Sequence, residues 1–387
     1  MNILGFNPAH HGSACLLEDG ELKFFIQEER IGRREKYTSY PFKSFIELIQ
    51  KYKIEHITWG APSTYYPLST IERNIPYWQQ IAFSYHPKVE GHNFSKTHHI
   101  THAAHSFYNS GFKKAIGVII DGMGSNFKNI EEDLGQETET IFECSYPSNF
   151  KVLYKNLVNH PEYSELKDSP SKNIKVSNNI NLSRVYETIT MHLGWSRNEA
   201  GKTMGLAPYG KFDSTLPPFF QNKTGNPNVF FENMNGPSLY HDVPQQTFIN
   251  EESNPLLKLS NDPREWHHNE SKITDLEKDM AWKVQNDTQQ IVGDYIEEAI
   301  KETGLKQVCC AGGYFLNCVT NYYLTKRFPD VEFYFEPIAN DAGTAIGAAK
   351  LIWHESTQDT TIRPFKSLYL GKQYSKEELL EGIKKYT

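Results

Sequence analysis

Along the first thirty residues apolar and polar positions alternate in short runs. Asn2 to Phe6, Ser13 to Leu17 and Glu21 to Gln27 read as strands, separated by a polar loop from Asn7 to Gly12 and by Asp19-Gly20. Asp-Gly between two apolar runs favours a tight hairpin, because both central residues of a type I′ turn need positive φ. The chain therefore opens as an antiparallel meander. The period then lengthens: Phe42, Phe45, Ile46, Leu48 and Ile49 form one stripe of a helix from about Pro41 to Tyr52, and His56 to Trp59 reads as a short strand.

A helix carrying His98 ends near Asn109-Ser-Gly111 and feeds the buried strand Ala115 to Ile120, which delivers Asp121-Gly-Met-Gly124. Alternation from Glu137 to Cys144 predicts another strand. The Lys-, Asn- and Ser-rich stretch 164–181 reads as an exposed excursion, and Leu182, Val185, Ile189 and Leu193 mark a helix over 182–193. From 212 to 272 the chain is aromatic, polar and Pro-bearing without period, an insert that covers a site or decorates the surface.

Regularity returns with a helix over 274–303, a strand Gln307 to Ala311, a helix over 313–327, a strand Val331 to Phe335 and a helix over 341–353. Alternating strands and helices predict an α/β lobe. A terminal helix from Ser375 to Tyr386 starts at a Ser-x-x-Glu cap. With 387 residues the chain is long enough for two lobes. The expected division is a first lobe over 1–181, a second over 182–365 with the insert 212–272, and a tail over 366–387.

Charge and cysteine content exclude some classes. Forty-seven acidic against 40 basic residues leave no footprint for non-specific nucleic-acid binding, although Arg30, Arg33, Arg34 and Lys36 form a local basic run. Five cysteines without a CxxC pair fit a reducing cytoplasm. No apolar run reaches the roughly 18 residues that span a bilayer, and no signal-peptide pattern opens the chain. A soluble cytoplasmic protein is expected.

The candidate chemistry lies in histidines and glycine-rich loops. His98 and His102 are spaced i, i+4, which on a helix puts both imidazoles on one face. A carboxylate from a distant segment, with Asp341 the candidate, would complete a two-His, one-carboxylate metal site. Histidines beside Ala103 and Ala104 also serve as ordinary packing residues. Ala311-Gly312-Gly313-Tyr-Phe-Leu-Asn317 and Asn340-Asp341-Ala-Gly343-Thr344 each follow a strand and open a helix, where backbone amides can receive phosphate oxygens. With Asp121, Gly122 and Gly124 they read as a nucleotide cleft between lobes, and none matches the Walker A pattern.

The ordered set His10-His-Gly-Ser-Ala14, Gln27-Glu-Glu-Arg-Ile-Gly-Arg33 with Tyr40-Pro41, His98-His-Ile-Thr-His-Ala-Ala104, Val118-Ile-Ile-Asp-Gly122, Gly201 to Gly210, Gly312 to Cys318 and Asn340 to Thr344 resembles the O-carbamoyltransferases of antibiotic and nodulation-factor biosynthesis. These motifs span nearly the whole chain. The resemblance implies a two-lobed actin-like, sugar-kinase-like α/β fold, shared with the catalytic subunit that makes threonylcarbamoyladenosine in tRNA. It implies a metal, commonly Fe(II), held by His98, His102 and Asp341, with Asp121 close to the metal or phosphates. It also implies that carbamoyl phosphate and ATP give carbamoyl-adenylate in a C-terminal YrdC-like domain, and that the carbamoyl group then passes to an acceptor hydroxyl. The sequence stops at Thr387, where that domain would begin, so the expectation is either a separate YrdC-like activating partner or more direct use of carbamoyl phosphate.

A carbamoyl carbon is a poor electrophile, so the developing oxyanion must be met by metal or fixed amides, and a hydroxyl nucleophile needs a base. His11 matches the family's histidine in the first hairpin loop, and an imidazole with an ordinary pKa of about 6.5 suits it as general base. The family's usual neighbouring aspartate is Gly12 here. Lys202 is assigned to phosphate or carboxylate neutralisation, Glu199 to an acceptor hydroxyl, and Arg33 to substrate binding or to an ion-pair network with Glu28, Glu29 and Arg30. The acceptor is a small molecule, a sugar or a hydroxymethyl nucleotide, and a homodimer is among the expected assemblies. The rival readings are a sugar-kinase-like phosphotransferase, which would use an acidic base and Mg²⁺, and a non-catalytic nucleotide-binding module.

Overall fold

The computed structural model describes residues 1–32, 40–61, 68–128, 133–158, 172–177, 182–220, 273–369 and 374–385. Its first sheet holds β1 (Asn2–Asn7), β2 (Ser13–Glu18), β3 (Glu21–Gln27), β4 (His56–Trp59) and β5 (Glu90–Asn93). Their spatial order is β3-β2-β1-β4-β5, with β1, β2 and β3 antiparallel and β4 and β5 parallel to β1. The expected Asp19-Gly20 turn is present, with φ of 48° and 81°. Helices α1 (Glu28–Gly32), α2 (Phe42–Lys51) and α3 (Leu68–Tyr85) connect these strands, and α4 (His98–Ser110) leaves the last of them.

The second sheet repeats the plan. It holds β6 (Lys114–Ile120), β7 (Asn126–Lys128), β8 (Asp133–Ser145), β9 (Asn149–Val158), β10 (Ile174–Ser177), β11 (Gln307–Ala311) and β12 (Glu332–Phe335). Strands β9-β8-β6-β11-β12 take the places of β3-β2-β1-β4-β5, with the same antiparallel and parallel senses. Helices α5 (Leu182–His192), α6 (Ala200–Leu206) and α7 (Asp275–Thr303) precede β11, α8 (Cys318–Arg327) joins β11 to β12, and α9 (Thr344–Thr357) leaves β12 as α4 leaves β5. This duplicated order, invisible as a sequence repeat, is the two-lobed actin-like, sugar-kinase-like α/β fold. The last helix, α10 (Lys376–Lys384), is capped by Ser375 and Glu378 as expected.

The sheets correct the expected lobe boundary at 181. The second sheet begins at Lys114, and the strand Ile174–Ser177, with Val176 buried, lies inside the stretch read as an exposed excursion. The two equivalent helices also cross over. Ala103, Ala104, Phe107 and Tyr108 of α4 pack with Ile119, Phe142 and Cys309 of the second sheet. Ala345, Ile346, Ala349 and Ile352 of α9 pack with Ile3, Cys15 and Leu17 of the first. Gly347 makes the contact between the helices possible, since a Cβ there would stand 1.9 Å from the Thr101 carbonyl oxygen. Elsewhere the first lobe is filled by Phe6, Phe45, Trp59 and Trp78, each large buried side chain contributing roughly 1.5–3 kcal/mol.

The expected helix over 313–327 is interrupted. Asn317 accepts a hydrogen bond from the Thr320 amide at 3.0 Å and so starts α8 afresh, leaving a short 3₁₀ turn over Gly313–Leu316. Residues 221–272, most of the irregular insert, lie outside the described residues, as do Arg33, Arg34 and Lys36.

Candidate functional site

The start of α4 is held from outside the helix. Thr97 makes no side-chain cap, and the first amides find other acceptors: His98 N–H donates to Ser125 Oγ at 3.1 Å and His99 N–H to Glu137 Oε2 at 3.4 Å. Glu137 is buried and takes a hydrogen bond from the Lys155 ammonium. Burial opposes its charge, but Lys155 and His99 hold its pKa down at about 2. A fixed negative charge therefore sits at the helix N-terminus, where the helix dipole favours it.

From that end both expected histidines face one point. His98 Nε2 and His102 Nε2 are 3.1 Å apart, and Asp341 Oδ1 lies 3.5 Å from the first and 3.3 Å from the second. Asp341 arrives in the turn before α9, so the crossover of the two helices joins segments more than two hundred residues apart. Asp121, at the end of β6, brings Oδ2 within 3.6 Å of His98 Nε2. One ligand atom from each of the four residues lies within 4.8 Å of the others, and all four residues are buried.

The electrostatics match a cation site. Burial would lower the pKa of His98, but Asp341 and Asp121 drive it well above its ordinary value. Burial likewise opposes ionisation of Asp341 and Asp121, yet His10 and His98 hold the first well down, and His98 and His102 hold the second at about 2. The cluster thus keeps two enclosed carboxylates ionised and demands positive charge beside them. His98 Nδ1 lies 2.6 Å from the Gly60 carbonyl oxygen, so its ring N–H is taken there and Nε2 faces the cluster, the orientation that metal-ligating histidines adopt. Two imidazoles and two carboxylates of this kind fit a divalent transition metal.

The first hairpin loop closes over the site. Ser13 Oγ donates to the Ala342 carbonyl at 2.7 Å, and Cys15 Sγ to that of Ala345 at 3.3 Å. His10 Nε2 then reaches Asp341 Oδ2 at 3.1 Å. His11, the expected base, adopts φ of 58°, with its ring 4.9 Å from that of His10. Burial and then His10 lower its pKa, with Asp341 and Asp121 pulling the other way. Sequence reasoning fixed on His11 and missed His10. The doublet itself was the available signal, since a strained loop can turn either imidazole inward.

The glycine-rich loops converge only in part. Gly313 N–H donates to Asp121 Oδ1 at 3.2 Å, and Gly312 N–H to the Ala339 carbonyl at 2.9 Å, so the loops after β6, β11 and β12 adjoin. Gly312 has φ of 99°, and a Cβ there would meet the Ile120 carbonyl. Gly124 and Gly343 have a packing explanation, because a Cβ would strike His99 at the first and His105 at the second. Asn340 caps its own turn through the Ala342 amide, and Asn317 donates to Gln285 Oε1 at 2.8 Å.

Lys202 and Glu199 are tied to each other, 2.7 Å apart, while the second Glu199 oxygen accepts the Ser196 amide in a capping box. The carboxylate expected to hold an acceptor hydroxyl is therefore engaged locally. Beside Gly122 stand Arg184 and Glu187 of α5, paired at 2.5 Å. Arg184 is buried among the apolar stripe of its helix and had no signal in the sequence. Below the cluster, buried Glu336 lies 3.5 Å from His105 Nε2, and Lys350 and Asn109 complete that layer. Burial raises the Glu336 carboxyl to about 7 and lowers the Lys350 ammonium to about 8.

Residues 72–350 match the family model described as Carbamoyltransferase N-terminus. An uncharacterized protein of Synechocystis sp. is 25% identical over 99% of this chain and 62% of its own length. Nodulation protein NolNO of Sinorhizobium fredii is 25% identical over 96% of this chain and 50% of its own. The chain thus spans about half to three-fifths of these relatives. Among solved structures, T. kodakarensis HypF superposes with a TM-score of 0.47 at 14% identity, covering 92% of this chain and 48% of its own. Component A of the Acidaminococcus fermentans (R)-2-hydroxyglutaryl-CoA dehydratase gives 0.44 at 13%, covering 92% and 99%. Scores at this level add nothing to the topology described above. No helix among the described residues is long and apolar enough to cross a membrane.

Proposed function

The chain belongs to the carbamoyltransferase N-terminus family, and from that premise we propose that it passes a carbamoyl group to an acceptor hydroxyl. The donor is carbamoyl phosphate, or carbamoyl-adenylate made with ATP by a separate activating partner. The acceptor belongs to the class of hydroxylated small molecules, sugars or hydroxymethyl nucleotides. One observation carries the reading: the His10-His11 loop lies against a buried cluster of two histidines and two aspartates, which puts a proton acceptor beside an enclosed charged site.

In the reaction the acceptor oxygen forms a bond to the carbamoyl carbon, the bond from that carbon to the phosphate oxygen breaks, and phosphate or AMP leaves. His11 takes the hydroxyl proton. Its lowered pKa leaves it neutral near pH 7 and able to accept one. His98, His102 and Asp341, with Asp121 beside them, would hold a divalent cation such as Fe(II), which when bound polarises a donor oxygen and offsets phosphate charge. Asp121 also orients the Gly313 amide, fixing the loop proposed to face the donor phosphate.

The test is incubation of the purified protein with a panel of hydroxylated acceptors and either carbamoyl phosphate, with and without ATP, or carbamoyl-adenylate, followed by mass spectrometry. Gain of a carbamoyl group on an acceptor is the expected result. Release of ADP with a phosphorylated acceptor would make the protein a kinase, and absence of any modified acceptor would make it a binding module.

A further inference from the structure

A second histidine–carboxylate cluster stands on the first sheet, apart from the site described above. Strands β4 and β5 pair in parallel with His56 opposite Glu90 and Thr58 opposite His92. Side chains two apart on a strand share a face. Glu90 and His92 therefore project from β5 on the same side, and His56 joins them from β4. Gly91 turns the other way, towards Gln79 of α3. His56 Nδ1 and His92 Nε2 are 3.0 Å apart, Glu90 Oε2 is 3.7 Å from His56 Nδ1, and all three ligand atoms lie within 4.8 Å of one another.

We propose that His56, Glu90 and His92 bind a divalent transition-metal ion of the zinc class, at a site independent of the buried cluster and of the carbamoyl-transfer reading. Two imidazole nitrogens and one carboxylate oxygen suit zinc, nickel or copper better than the oxygen-seeking cations. Nitrogens bonded to one tetrahedral zinc at roughly 2.0–2.1 Å stand about 3.3 Å apart, close to the spacing already present. One hydrogen bond joins the two rings, so an ion arriving between them replaces a single shared proton. Glu90 has a largely exposed side chain, which gives the ion a path from solvent and leaves room for water as a fourth ligand. Because β5 ends the sheet, a bound ion would clip an edge strand to its neighbour.

The experiment compares zinc uptake by the whole chain and by the double variant His56→Gln/His92→Gln after chelator treatment, using equilibrium dialysis against Zn(II) and elemental analysis. The parent is expected to hold one more zinc per chain than the variant. A Glu90→Gln chain should keep that zinc with an affinity about tenfold weaker. Titration with Cu(II) provides a second readout, in which the parent's electron paramagnetic resonance spectrum should show one more two-nitrogen copper signal than the double variant, which keeps only the enclosed cluster. Equal zinc content in parent and double variant, both folded by circular dichroism, would overturn the proposal.

Discussion

His98, His102, Asp121 and Asp341 come from three separate segments and are enclosed on all sides, whereas His56, Glu90 and His92 come from two neighbouring strands at an open sheet edge. The ligand sets are chemically alike. Their surroundings are not. In the enclosed cluster charge cannot be screened by water, so carboxylates and imidazoles fix one another's ionisation, and losing one partner leaves another buried and uncompensated. At the edge, water can replace a missing partner, and the same kinds of residue become nearly optional for folding. Position in the fold thus decides which set can be tied to catalysis and which adds only a local clip.

The contrast can be broken most forcefully at Asp341. Changing it to Ala removes the group shared by both histidines and His10, and is expected to lower carbamoyl transfer about a thousandfold or more, measured as product formed per enzyme. Next, Lys155→Met leaves Glu137 buried without its cation beneath the start of α4, and should cost about 3–5 kcal/mol in urea unfolding. His11→Asn, which tolerates the same positive φ, should keep the loop and lower turnover about a hundredfold.

The pH dependence sharpens the picture further. Glu137 has a pKa depressed in the folded chain to about 2 from an ordinary 4.5, so its contribution is complete above about pH 4.5 and is lost as pH falls towards 2. Urea midpoints measured from pH 6 down to pH 2 should therefore fall more steeply for the parent than for Glu137→Gln. Smallest of all, His92→Gln at the edge should move the unfolding free energy of metal-free protein by no more than about 0.5 kcal/mol.

Local pattern was enough for much of the scaffold. His56–Trp59 and Gln307–Ala311 stand where alternation and flanking turns put them, and α4 ends at Gly111 in the left-handed conformation that its sequence forecasts. The lobe division was not legible, because α4 and α9 exchange sheets, and no local period reports which sheet a helix will cover. The i, i+4 spacing of His98 and His102 exposed half of the enclosed cluster. Asp341 and Asp121 were reached as a candidate carboxylate and through the family resemblance, whereas His10 needed the docking of the first hairpin on the turn before α9. Glu199 and Lys202, expected at the substrate, pair with each other, and the start of a helix takes the second Glu199 oxygen.

The central claim is that carbamoyl transfer depends on the enclosed cluster. It is tested most directly by mass spectrometry of acceptors incubated with carbamoyl phosphate or carbamoyl-adenylate and either the parent chain or Asp341→Asn, a change of nearly equal volume. Carbamoylated product from the parent and almost none from the variant, with matching circular dichroism spectra, is the result expected here. Equal product from both would contradict it.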